Sequence, residues 1–244
     1  MKKTGNDAYG ELLRWQLETG EAATEIVERE DGFIDTGSIA GMYFSPPRKW
    51  PKSELKAINM AKDRVLDVGC GAGRHSLYLQ EKGLDVTAID NSPGAVKVAK
   101  KRGVKRALLR PIAEISKFRT ASFDSVIMMG NNFGLFGNFK NARKLLREFD
   151  RITTSDAIII AVTRDPYQTT RRVHLDYHKL NRERGRMAGQ IRFRIRFSRA
   201  IGPWFDYLLV SPDEMREILE TTPWQIGMLL QESDSQYIAV IEKH

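Results

Sequence analysis

The chain has 244 residues, 41% of them hydrophobic and 29% charged, with 19 glycines and 9 prolines, a balance that excludes disordered and fibrous classes and leaves an ordinary folded protein. Its one cysteine, Cys70, excludes an intramolecular disulfide and fits a reducing, cytoplasmic compartment, and its longest apolar run, residues 157–162, falls far short of the roughly 20 residues that span a bilayer. The net charge of +8 sits in one place: residues 164–199 hold eleven Lys or Arg against three acids, so the remainder is neutral and is no general polyanion binder.

Tyr9, Leu12, Leu13 and Leu17 recur at helical spacing and stop at Thr19 and Gly20, which predicts a short amphipathic helix. Residues 21–30 predict a second helix, and 31–51 an irregular linker punctuated by glycine and proline. Residues 1–60 thus read as a helical cap and linker, with a further helix at 53–62 delivering the chain to the first strand. Strands at 65–68, 85–89, 106–109, 125–129 and 157–163 then alternate with helices at 76–82, 93–102 and 141–152. Alternation of this kind builds a parallel sheet covered on both faces.

After residue 163 the pattern changes. A basic stretch runs to Gly189, and in 190–198 Ile191, Phe193, Ile195 and Phe197 alternate with Arg192, Arg194 and Arg196, a strand with one apolar and one arginine face. Residues 205–210 can pair with it across a turn near Gly202 and Pro203, so 164–211 reads as a basic β-hairpin insertion after the fifth strand, a lid or substrate platform. A helix at 212–219 and strands at 224–230 and 236–241 return to the core, which spans 61–163 and 212–244. The fold class expected is α/β, a doubly wound, mostly parallel sheet of seven strands with an N-terminal helical cap.

The chemistry lies where the first strand ends. Gly69, Gly71 and Gly73 form a G-x-G-x-G turn between that strand and the next helix, where glycines allow a ligand close approach and the helix start presents free N–H groups. Asp90 ends the second strand 21 residues beyond Gly69, placed to accept both hydroxyls of a ribose. A nucleoside is the implied ligand.

The segments VLDVGCGAGRHSLYLQEKG, VTAIDNSPGAV and SFDSVIMMGNNFG together resemble class I, Rossmann-like S-adenosylmethionine-dependent methyltransferases, over about residues 60–163 and the last 30. Nicotinamide dehydrogenases usually carry G-x-G-x-x-G and lack an acid inside the motif, whereas Asp67 precedes the first glycine here by two. The resemblance implies S-adenosylmethionine as cofactor, with Gly69, Cys70, Gly71 and Gly73 along its methionine half, Asp90 on the ribose, Asn91 near the adenine, and Asp67 near the ammonium end. Many relatives place an aspartate near the adenine amino group after the third strand. This chain reads LLRPIAEISKF there, leaving Ala113 and Glu114 either as adenine contacts or as loop surface. Gly130, Asn131 and Asn132 stand where the family has cofactor- and substrate-facing residues, and equally suit an Asn-rich turn.

Two substrate classes are disfavoured. Methylation of adenine amines in nucleic acids is usually marked by N/D-P-P-Y/F where this chain has Gly-Asn-Asn-Phe, and cytosine C5 chemistry needs a nucleophilic cysteine, while Cys70 lies in the cofactor loop. His174, Tyr177 and His178 are the candidate catalytic side chains, set against packing of the lid; with no third ligand evident, no metal site is expected. The aromatics Trp15, Phe33, Tyr43, Phe44, Trp204, Phe205 and Tyr207 read first as packing the non-core segments onto the sheet and, as the second reading for each, as lining a pocket. The arginine row reads either as a solvated face or as a receptor for carboxylate or phosphate. The function expected is methyl transfer to a small acidic metabolite, with RNA methylation through the basic insertion, or cofactor binding without catalysis, as alternatives. No membrane partner is expected.

Overall fold

The computed structural model describes residues 7–37 and 40–244. In chain order, α1 (Ala8–Thr19) leads to β1 (Glu25–Arg29), β2 (Ile34–Gly37), the short α2 (Ala40–Tyr43) and α3 (Lys52–Ile58). Then come β3 (Arg64–Val68), α4 (Arg74–Glu81), β4 (Asp85–Asp90), α5 (Pro93–Lys101), β5 (Ala107–Leu109), β6 (Phe123–Met128), α6 (Phe139–Ile152) and β7 (Thr153–Arg164). The remainder is α7 (Arg172–Glu183), β8 (Gln190–Phe197), β9 (Ala200–Ile201), β10 (Phe205–Leu208), α8 (Pro212–Leu219), β11 (Trp224–Gln231) and β12 (Gln236–Lys243). Among the described residues no helix is long and apolar enough to cross a membrane.

Seven strands form the main sheet in the order β5-β4-β3-β6-β7-β12-β11, parallel through β7, with β12 antiparallel to both its neighbours. This is the doubly wound sheet expected. Successive residues of β3 show why its run is apolar throughout: Leu66 packs with Phe136, Phe149 and Trp224 on one face, while Val65 packs with Ile58, Leu79 and Ile160 on the other. The amphipathic α6 buries Leu145, Leu146 and Phe149 in the first of these layers.

The cap departs from expectation. Residues 25–29 and 34–37 are strands rather than a helix and linker, and they join the insertion in a second, antiparallel sheet of order β10-β8-β1-β2, with β9 on β8. Glutamate- and alanine-rich sequence favours helix locally, but β1 pairs β8 with Val27 opposite Ile195 and Glu28 opposite Arg194, and that long-range ladder overrides propensity. β1 and β2 therefore build one cap sheet with β8, β9 and β10, while α3 packs Ala57 and Ile58 on the main sheet, and α7 is a helix that the basic stretch 164–189 did not announce.

Asp7 fastens α1 to the main sheet. Its carboxylate accepts Gly10 N–H at 3.0 Å as the α1 cap, Ser92 Oγ–H at 2.7 Å and Gly94 N–H at 2.7 Å, so one side chain ties two helix starts. The helices touch through glycine: a Cβ on Gly94 would lie 2.5 Å from Gly10 Cα.

Candidate functional site

At the carboxyl ends of β3, β4 and β6, where ligands bind in open α/β sheets, lies a cavity of about 600 Å³. Its floor is the loop after β3. Gly69 and Gly71 adopt φ of 75° and 53°, and Gly69 N–H and Cys70 N–H donate to Ile89 O at 2.9 and 3.1 Å, locking the loop beside β4. A Cβ on Gly71 would stand 2.6 Å from the Tyr9 hydroxyl, so α1 roofs the loop at closest approach.

Asp90, 7% exposed, accepts Gly71 N–H and Ser92 N–H, each at 2.9 Å. Burial pushes its carboxyl up to about 6, opposed by those two backbone donors. Asp67, 2% exposed, lies beneath the loop and accepts Ser76 Oγ–H at 2.5 Å; burial pushes it up to about 7, with the Ser76 bond opposing and the Asp90 charge reinforcing. Two buried acids at the loop make a site that gains by receiving positive charge.

Of the residues singled out in the sequence, Gly69, Cys70, Gly71, Asp90, Asn91, Ala113, Gly130 and Asn131 line the cavity. Asp67 does not reach it, and serves the loop through Ser76. Gly73 does not line it either: with φ of 76° it opens α4, and a Cβ there would lie 2.5 Å from Val104 Cγ2, so this glycine permits packing rather than ligand approach. Glu114 is on the surface, paired with Lys117, so of the adenine alternatives Ala113 faces the cavity, alongside Ile112.

Asn131 sits at φ 69°, and its Oδ1 is buried with no hydrogen-bond partner among the described residues, while Asn132 Nδ2 donates to Val68 O and Gly69 O at 2.9 and 2.8 Å. An orphaned acceptor in a cavity wall is the mark of a missing donor, such as an ammonium group. With the open glycine loop and the Asp90 carboxylate, the residues present fit a nucleoside bearing an amino-acid tail.

His174, Tyr177 and His178 are not brought to the cavity. They lie on α7 in the cap, where His174 meets the Phe33 ring at 5.6 Å, His178 meets Tyr167 at 6.0 Å, and Tyr177 donates to Glu30 Oε1 at 3.0 Å beneath the Arg29 guanidinium. Lid packing, the other reading of this cluster, accounts for all three. Among the described residues no group of three metal-ligating side chains is gathered.

The arginine row faces outward. Arg194 and Arg196 pair with Glu28 at 2.8 and 3.2 Å, Arg184 and Arg186 with Glu30 at 2.9 and 2.8 Å, and Arg192 with Asp206 at 3.1 Å. The opposite face of the same strand, through Phe193 and Ile195, forms the cavity wall with Val27, Phe205 and Tyr207. Tyr43, Phe205 and Tyr207, expected first as packing, are thus cavity residues, and the Tyr207 hydroxyl donates to Asn131 O at 2.5 Å, joining cap to core. Sequence reading missed Asp7, Tyr9 and Glu25 in the lining altogether. In EIVER the apolar residues Ile26 and Val27 are adjacent rather than alternating, so the segment itself carried no signal for Glu25.

A family model described as a methyltransferase domain matches residues 66–161. Across nearly its whole length the chain is similar to the crystal structure of a SAM-dependent methyltransferase from Bacteroides fragilis in complex with S-adenosyl-L-homocysteine, with TM-score 0.83, 26% identity and coverage of 98% of this chain and 95% of that one. It is also 31% identical over 150 residues to a glycine/sarcosine N-methyltransferase of Halorhodospira halochloris, covering 58% of this chain and 53% of that protein. To a ubiquinone biosynthesis O-methyltransferase of Xanthomonas oryzae it is 38% identical over 77 residues, covering 30% and 32%. The chain spans about half or less of the length of these two curated relatives. Sheet order, loop and full-length likeness agree with a class I, Rossmann-like S-adenosylmethionine-dependent methyltransferase, whose methyltransferase domain residues 66–161 match.

Proposed function

We propose that the protein transfers a methyl group from S-adenosylmethionine to a small-molecule acceptor held between the glycine loop and the antiparallel cap sheet. The observation that carries this reading is the single cavity with two unlike walls, the Gly69–Asp90 floor on one side and the apolar face of β1, β8 and β10 on the other. Its volume of about 600 Å³ lies within the ~300–1,000 Å³ usual for small-molecule sites and suits an enclosed ligand better than a polymer.

In this reading Asp90 accepts the ribose hydroxyls, Asn91, Ile112 and Ala113 flank the adenine, and Asn131 Oδ1 takes the ammonium. Asp67 holds the loop in place from below. When bound, the cofactor supplies a methyl group already activated on a cationic sulfur. What the chain must add is alignment and exclusion of water, which Val27, Phe193 and Ile195 provide by closing an apolar wall over the loop.

The expectation of an acidic acceptor came from counting arginines, and their pairing removes its support: the β8 row points away from the cavity and pairs with Glu28 and Asp206, while Arg184 and Arg186 pair with Glu30. The names of the curated relatives, which include amino-acid N-methyltransferases and quinone O-methyltransferases, accord with a small acceptor. Purified protein incubated with methyl-labelled cofactor and fractionated cell extract is expected to label the small-molecule fraction. Label in RNA or protein instead overturns the assignment, and no release of S-adenosylhomocysteine with any fraction favours a binding protein without catalysis.

The RNA alternative draws on the outward arginines. Because most of those named above are spent on carboxylates, filter binding is expected to show no RNA affinity with the steep salt dependence of a phosphate-contacting surface. A slope of several counterions would restore the RNA reading.

A further inference from the structure

Among the described residues two acids of the cap sheet line the cavity, Asp206, which Arg192 pairs, and Glu25, which no cation pairs. Glu25 shares the cavity face of β1 with Val27, opposite Ile195 on β8, a position where an apolar side chain would extend the wall. It is 4% exposed, and its one hydrogen bond is from the Tyr43 hydroxyl to Oε2 at 3.2 Å. Among the described residues Glu25 has no salt bridge and its side chain accepts no backbone N–H.

The other cavity-lining acids are provided for. Asp7 receives Ser92 and Gly94, Asp90 receives Gly71 and Ser92, Glu54 receives Arg74 and His75 at 2.7 Å each, and Asp206 receives Arg192. Glu232 is half-exposed and receives the Gln236 amide at 2.9 Å. Tyr9, Tyr43 and Tyr207 line the cavity with Glu25, Tyr43 donating to it through its hydroxyl and with the Tyr9 ring edge-on to Tyr43 at 5.4 Å, and aromatic rings suit a cation as well as an apolar body.

We propose that Glu25 anchors the acceptor, and that the acceptor is an amine carried on an apolar or aromatic body. The inference rests on the methyltransferase reading above and names its substrate class. A buried carboxylate without a cation is costly to keep and is retained where a ligand supplies the cation. Burial raises the Glu25 carboxyl, with the Tyr43 bond opposing, and an amine restores the ionised form. In the reaction the bound ammonium first passes a proton to the Glu25 carboxylate; the nitrogen lone pair so freed forms the new bond to the methyl carbon, the carbon–sulfur bond breaks with its pair going to sulfur, and the carboxyl proton then leaves to solvent. Positive charge thereby moves from sulfur to nitrogen, where the Glu25 carboxylate stabilises it.

Phenethylamine and phenylacetate, alike in ring and chain length and opposite in charge, are the probes. Calorimetry on the full chain, with and without saturating S-adenosylhomocysteine, is expected to give at least tenfold tighter binding of the amine. Glu25→Gln, which keeps the shape and removes the charge, is expected to erase that preference while S-adenosylhomocysteine binds within twofold of wild type. Equal or tighter binding of phenylacetate to wild type, an undiminished preference in E25Q, or binding of neither probe overturns the proposal. The wild-type comparison decides it even if the variant fails to fold. Loss of S-adenosylhomocysteine binding by wild type would sink the methyltransferase reading alone, because the preference measured without it stands or falls by itself.

Discussion

Asp90→Ala is expected to weaken S-adenosylhomocysteine binding at least about 100-fold by calorimetry, since two hydrogen bonds to a charged group, at roughly 1.5–3 kcal/mol each, are lost together. The variant should nevertheless fold. Asp90 is raised from the ordinary aspartate range to about 6 by burial, so the folded state binds its proton more tightly than the unfolded one. The stability this contributes is full below about pH 4 and is lost as pH rises through about 6. At pH 7.5 the ionised carboxylate therefore costs up to about 3 kcal/mol, with the Gly71 and Ser92 donors already holding that cost down. Asp90→Asn should accordingly show a flatter melting-temperature profile between pH 4.5 and 7.5 than wild type. Ligand-free wild type should be less stable at the upper end of that range. Normal cofactor affinity in Asp90→Ala would remove the ribose assignment and the floor of the proposed site with it.

Gly94→Ala should open the cavity without touching anything in its floor. The added Cβ would stand 2.5 Å from Gly10 Cα and 2.8 Å from Gly10 C, both backbone atoms that cannot rotate away, so α1 must shift. That shift strains the Asp7 bonds to Ser92 and Gly94, lifts Tyr9 from the glycine loop, and loosens the packing of Leu12 and Leu13 on Ala95 and Val98. Overpacking of this kind costs about 1–3 kcal/mol, which for a chain of this size lowers the melting temperature by roughly 2–10 °C. Faster proteolysis within residues 8–30 and weaker cofactor binding should accompany the fall. Gly41→Ala, where a Cβ meets nothing within 4 Å, serves as the silent comparison. A wild-type melting temperature and affinity in Gly94→Ala would show that the close contact of the two helices is not what holds the roof.

The floor of the site was legible in the sequence because its determinants are local. A buried apolar strand, a turn that needs positive φ at Gly69 and Gly71, and an acid at the end of the next strand each leave a signature within a few residues. Gly73 shows the limit of that reading, since a glycine that admits Val104 and one that admits a ligand look alike in a motif. The roof was not legible. Whether 25–29 becomes helix or strand depends on β8, and whether Phe193 or Arg194 faces the cavity depends on which side of β8 meets the core. Counting charge set residues 164–211 apart, but a count has no direction, and five of its arginines turn out to be partnered by Glu28, Glu30 and Asp206. His174, Tyr177 and His178 were drawn in by residue type alone, and residue type does not distinguish the inside of a lid from its outside.

The pairing of β1 with β8 joins Ile26 to Arg196, positions separated by most of the methyltransferase core. A ribosome that has released the whole of β3 to β7 has still not supplied the partner that β1 needs. The residues of the glycine loop are made before the acceptor wall can exist, β11 and β12 complete the main sheet only after both, and loop closure over so long a segment is slow relative to local contacts. The order of synthesis thus leaves β1 without its second strand partner until residues 190–197 have emerged.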